Sequence, residues 1–162
     1  MGNSAPTVGA ITVNNGADIY LTPCANTTVT CDVIVTDADG YEDINTSSLM
    51  GIFYSSDYSN EQDSDNRSIH YSNNSCTGSG GSGTTMNVVC NFTVDYYAMN
   101  GTWSCGIRAT DYGGEIGSNL SNSTMDSLAA VSLNATQVQF GTGLSPGDNT
   151  SANPQTLMVT NC

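Results

Sequence analysis

The chain predicts an all-β protein: an antiparallel β-sandwich followed by a C-terminal β segment. Apolar residues recur with a period of two rather than 3.6. β-branched residues and glycine are frequent, and helix start and stop signals are nearly absent. Clusters of Gly, Asn, Asp and Ser separate the alternating runs as turns would.

Val8–Val13 and Asp18–Leu21 read as short, weak strands. Thr28–Thr36 is the first strong one, with Val29, Cys31, Val33 and Val35 on one face. Leu49–Tyr54 and Arg67–Tyr71 are weaker, and Thr77–Thr85 is a Gly/Ser-rich stretch that reads as a loop. Met86, Val88, Cys90, Phe92 and Val94 alternate, as do Trp103, Cys105, Ile107 and Ala109. Another strand falls near Glu115–Asn119. Roughly seven or eight short strands with turns between them match a sandwich of the immunoglobulin-like class, placed at residues 1–124. Residues 125–162 differ. Val131–Thr136 and Val138–Gly141, then Pro146-Gly147-Asp148, then Leu157–Cys162 read as strand, turn, strand. That segment opens a second module, pairs with a neighbouring subunit, or completes the first sandwich.

Composition narrows the partners. The two basic residues, Arg67 and Arg108, face fifteen acids, for a net charge of −13. Nucleic acid is excluded as a partner, because phosphate neutralisation needs a basic patch. An anionic membrane surface would repel the chain, and no apolar run approaches the ~18 residues that span a bilayer. Met1–Pro6 carries no apolar signal-peptide core, so the chain reads as a mature or excised one.

The strongest motif signal is the N-x-[ST] triplet, the acceptor of N-linked glycans on secreted surfaces. Ten asparagines occupy it: Asn26, Asn45, Asn66, Asn73, Asn91, Asn100, Asn119, Asn122, Asn134 and Asn149. Asn91 tests this reading, because it lies between inward Cys90 and Phe92 and must point outward. Asn26, Asn45 and Asn73 fall in loops, and Asn100-Gly101 in a turn. Six cysteines, with the sequons, argue for an oxidising, extracellular compartment and up to three disulfides. A zinc site has little support, since there is no C-x-x-C and His70 is the only histidine. Cys31 and Cys105 face inward on long strands, and a bridge between them is the inter-sheet bond of an immunoglobulin-like sandwich. Cys76 and Cys90 flank the Gly/Ser stretch as a hairpin staple would, which leaves Cys24 with Cys162. Fifteen connectivities remain open.

Asp37, Asp39, Glu42 and Asp43 put four acids in seven residues after a strand. Alternating acids with a glycine supply the hard oxygens calcium takes from flexible loops. In an immunoglobulin-like sandwich Asp111 and Glu115 lie at the same end. The same residues equally suit an Asp-Gly turn whose carboxylates cap backbone amides. Asp57, Glu61, Asp63 and Asp65 read as a solvated loop. Tyr54, Tyr58, Tyr71, Tyr96 and Tyr97 could stack on sugars, although Tyr96 and Tyr97 suit cover for the sandwich edge. His70 has no Gly-x-Ser-x-Gly elbow to serve, and no enzymatic activity is expected.

Val35-Thr36-Asp37-Ala38-Asp39-Gly40, then Gly101-Thr102-Trp103-Ser104-Cys105 and Ala109-Thr110-Asp111-Tyr112-Gly113-Gly114 carry a resemblance. Residues 5–120 resemble the immunoglobulin-like and cadherin-like repeat modules of prokaryotic, especially archaeal, cell-surface glycoproteins. Trp103 departs from antibody domains by lying on the later long strand. Bacterial N-glycosylation generally wants an acid two residues before the asparagine, and only Asn45, with Asp43, has one. The resemblance implies a cell-surface location and says little about activity. The expected function is a structural subunit of an extracellular glycosylated assembly (filament, sheath or S-layer-like coat) that self-associates through β-strand contacts. The alternative is an adhesin module that recognises a glycan or protein, with calcium in its end loops.

Overall fold

The computed structural model describes residues 2–128, with the backbone of 131–133 and 159–161. Contacts divide the chain into two units, Met1–Leu128 and Ala129–Cys162. The first unit is all-β. Its strands are β1 (Thr7–Val8), β2 (Thr12–Val13), β3 (Thr27–Thr36), β4 (Met50–Ser55), β5 (His70–Asn73), β6 (Thr77–Ser82), β7 (Thr85–Val94), β8 (Gly101–Thr110) and β9 (Ile116–Met125). Three single 3₁₀ turns, Asn14–Gly16, Tyr41–Asp43 and Thr46–Ser48, are the only helical pieces among the described residues.

Two antiparallel sheets form. One runs β1-β3-β7-β6, with β2 continuing the β1 edge against β3; the other runs β5-β4-β8-β9. The three strong alternating runs are β3, β7 and β8. Val29, Cys31, Val33 and Val35 on β3 are buried together with Met86, Val88, Cys90, Phe92 and Val94 on β7. Their register, from Thr27↔Val94 to Thr36↔Thr85, holds all of these residues on one face. Trp103, Cys105, Ile107 and Ala109 of β8 meet them from the other sheet. Phe53 bridges the layers, with ring centroids 4.7 Å from Trp103 and 5.5 Å from Phe92. Such aromatic pairs add about 0.5–1.5 kcal/mol beyond their buried area.

Two disulfides sit side by side in this core. Cys31 on β3 crosses to Cys105 on β8, and Cys76 joins Cys90 on β7. Cys31 and Cys90 are register partners, so the bridges are neighbours. Gly51 makes room for them: a Cβ there would stand 2.8 Å from Cys90 Sγ and 2.9 Å from Phe92 Cζ. No described cysteine is free. The expected Cys24–Cys162 bridge involves a residue outside the described ones.

Several element boundaries differ from the sequence reading. Val8–Val13 is two short strands, Thr7–Val8 and Thr12–Val13, with Gly9, Ala10 and Ile11 between them. Asp18–Leu21 forms no strand; Ile19 alone bridges in parallel to Met125 at the end of β9. The strand expected at Arg67–Tyr71 begins later, at His70. The Gly/Ser stretch is strand β6, held by backbone pairing to β7 with an irregular register between Ser79 and Ser82. The last strand runs on to Met125, which is buried, and Asp126 N–H donates to the Ile19 carbonyl, so the first unit extends past residue 124. In the second unit, β10 (Val131–Leu133) and β11 (Val159–Asn161) pair antiparallel. The strand expected at Val138–Gly141 lies outside the described residues.

Candidate functional site

Strand direction gathers the acids. β3 ends at Thr36, β7 begins at Thr85, β8 ends at Thr110 and β9 begins at Ile116; Thr36 pairs with Thr85, and Thr110 with Ile116. The loops joining these strands therefore crowd one end of the sandwich. Asp37 N–H donates to the Thr84 carbonyl at 2.8 Å and Tyr41 N–H to Gly83 at 3.1 Å. Asn45 N–H donates to Thr110, and Tyr112 N–H to the Asp43 carbonyl at 2.9 Å. Gly40, at φ +118°, turns the chain where an L side chain would be strained. The entering chain is tied in as well: Ser4 N–H donates to Asp39 Oδ2 at 2.8 Å, and Asn3 Nδ2 to Asp111 Oδ2 at 2.9 Å.

Within this frame Asp37, Asp39 and Asp43 bring one carboxylate oxygen each to within 4.8 Å of one another. Asp37 is 0% exposed, Asp39 is exposed and Asp43 half-buried. Asp37 Oδ1 accepts the Asp39 N–H at 2.9 Å, the cap expected of an Asp-Gly turn. Its Oδ2 has no hydrogen-bond partner. Desolvation first, then the negative charges of Asp111, Asp37 and Asp39, raise the proton affinity of Asp43. Glu42 is exposed and accepts a hydrogen bond from the Tyr41 hydroxyl. Asp111 is buried and already engaged: Oδ1 accepts the Glu115 N–H at 2.8 Å and Oδ2 the Asn3 amide. Of the five expected metal-ligating residues, three converge on a common point; Glu115 contributes backbone to this turn.

The sequon asparagines spread over the sandwich. Asn26, Asn66, Asn91, Asn100, Asn119 and Asn122 are exposed, and Asn45 and Asn73 half-buried. Asn91 points outward from β7 between buried Cys90 and Phe92. Two amide nitrogens are occupied. Asn73 Nδ2 donates to the Asn91 carbonyl, and Asn119 Nδ2 donates to both Val8 and Gly9 carbonyls at 3.2 and 2.7 Å. Asn119 thus ties β9 to the β1 edge of the opposite sheet. Sequence patterning sees an N-x-S triplet there and has no signal for the clamp. Asn134 and Asn149 lie outside the described residues.

The second acidic run closes the loop between β4 and β5. Asp57 Oδ2 accepts the Thr102 N–H, and Asp63 accepts from Ser59 Oγ and Asn60 N–H, which hold its carboxyl below the usual range. The loop covers His70, which is 1% exposed with Nδ1 3.1 Å from Asp65 and its ring 5.9 Å from that of Tyr54. Tyr96 and Tyr97 meet edge-to-face at 5.2 Å. On the outer face of the second sheet a cavity of about 520 Å³ is lined by Met50, Ile52, Gly106, Arg108 and Leu120, with Glu61 and Gln62 above. No described helix is long and apolar enough to cross a membrane. Comparison with protein-family models, curated proteins and solved structures finds no match.

Proposed function

We propose that the chain is a structural subunit of an extracellular, N-glycosylated surface assembly, built on an immunoglobulin-like sandwich. The strand order β1-β3-β7-β6 against β5-β4-β8-β9, with a disulfide between β3 and β8, supports the immunoglobulin-like reading. The observation that carries the function is the state of the sequon amides. Among the eight described, six (Asn26, Asn45, Asn66, Asn91, Asn100 and Asn122) keep Nδ2 free of hydrogen bonds while several fix Oδ1. They lie on both outer faces and in the loops, so sugar would sheathe the sandwich. Two neighbouring core disulfides fit a body that must last outside the cell. Contact between subunits then falls to strand edges, and β6, an exposed edge of Thr, Ser and Gly, offers its backbone for pairing.

Native material tests this. Imaging without refolding should show ordered filaments or sheets, and glycopeptide mapping should find sugar on Asn91 and Asn122 but none on Asn119. Dispersed, sugar-free particles would sink the assembly. An adhesin module is the second reading, favoured by the outer-face cavity, whose volume falls in the ~300–1,000 Å³ range of small-ligand sites. Glycosylated particles that bind a ligand as monomers would select it.

A further inference from the structure

We infer that the acidic end of the sandwich is a calcium site whose carboxylate ligands are Asp37, Asp39 and Asp43. Their oxygens lie within 4.8 Å of one another. Calcium–oxygen bonds of about 2.4 Å suit oxygens gathered at this spacing, and calcium takes carboxylates from irregular loops more readily than magnesium, which demands a near-ideal octahedron. Convergence of acids is not enough by itself, because exposed carboxylates cluster without an ion.

The independent observation is Asp37. Its side chain is 0% exposed, yet Oδ2 has no partner. A buried carboxylate oxygen is expected to be hydrogen-bonded or paired. Oδ1 is pinned by the Asp39 N–H, so the group cannot turn to find another donor without losing that bond. Neither basic side chain of the protein answers it. Arg67 is paired with Asp95, and Arg108 is exposed on the outer face of β8. A divalent cation supplies the missing partner and offsets the three negative charges.

The rest of the shell follows from exposure. Asp39 and Asp43 open to solvent, so water completes the six to eight oxygens calcium takes. Asp111 backs the site, since both its oxygens are engaged. A water-completed site in an exposed loop belongs to the weak extracellular class, with Kd on the order of 0.1–1 mM. The site stands apart from the assembly reading: a monomeric module would bind the ion equally.

The test is thermal unfolding of the full chain after EDTA treatment and dialysis, with CaCl2 up to about 10 mM, roughly tenfold above the weak end of that range. MgCl2 and NaCl of matched ionic strength run beside it. Tm should rise saturably with calcium, less with magnesium and not with NaCl. Asp37→Asn should lose the calcium response. If that variant does not fold, the Asp39→Asn/Asp43→Asn double variant replaces it, with the same loss expected. A wild-type Tm indifferent to calcium, an equal rise in NaCl, or a response retained in the folded variant would overturn the site.

Discussion

Asp37 and Asp95 are buried aspartates at opposite ends of one sandwich, and they find their partners differently. Asp95, 5% exposed, follows β7 where that strand ends, and Arg67 meets both its oxygens, Nε at 2.7 Å from Oδ2 and a terminal nitrogen at 3.1 Å from Oδ1. The first contact is an ion pair off hydrogen-bond alignment, so Oδ2 is unsatisfied as an acceptor yet neutralised in charge. Beside it the Tyr71 hydroxyl accepts the Asp95 N–H and donates to the Arg67 carbonyl. Trp103 packs on Tyr71 at 6.0 Å and donates Nε1–H to the Met99 carbonyl at 2.8 Å. This end is closed by the protein's own groups. At the acidic end the backbone is equally well tied, but no described side chain carries positive charge to the carboxylates. A chain with two basic residues can neutralise only so many buried acids, and it places Arg67 at the Asp95 end.

The largest expected effect removes what both ends share. Replacing Cys31 and Cys105 by alanine opens a bridge that spans 74 residues, and chain-entropy bookkeeping sets the loss at about 4 kcal/mol. Urea unfolding followed by Trp103 fluorescence and by far-UV circular dichroism should shift together. Separate transitions would mean that the two ends are independent structures and the comparison between them fails.

Arg67→Met breaks the self-sufficient end alone. Stranding a buried carboxylate costs about 3–5 kcal/mol when the pair is fully buried; with the guanidinium side chain 68% exposed we expect about 2 kcal/mol. The loss, read from the urea midpoint, should be the same in calcium and in EDTA. A calcium-dependent loss would show that the ends are coupled.

A smaller effect titrates the same end. Burial, the leading cause, pushes the Tyr71 hydroxyl up to about 12, from 10.0 when free. A raised folded pKa means that the unfolded chain gives up its proton first. Stability from Tyr71 is therefore complete below pH 10 and drains away between pH 10 and about 12, by up to ~2 kcal/mol for a half-buried group. Denaturation midpoints across that window should fall less steeply in Tyr71→Phe. Parallel slopes would locate the alkaline transition elsewhere.

The three alternating runs that became β3, β7 and β8 were legible because their inward residues are large and apolar, and so was the pairing of Cys31 with Cys105. β6 was not legible. Thr77–Ser82 has almost no side chains to alternate, and only the ladder to β7 and the Tyr41 ring lying against Gly81 make it a strand. Asn91 was readable as outward because one strand's period settles it. Asn119 was not, since its amide reaches carbonyls more than a hundred residues away.

By itself the sequence determined the β class, the inward face of Cys31 and Cys105, the acid-rich end and the shortage of cations, because periodicity, spacing and charge count are local or additive. Only the tertiary structure decided which acids converge. It buried Asp37, spent Asp111 on Asn3 and the Glu115 backbone, left Glu42 outside, and assigned Arg67 to Asp95. Those outcomes depend on distances between loops from strands far apart in the chain, and no local pattern encodes a distance of that kind.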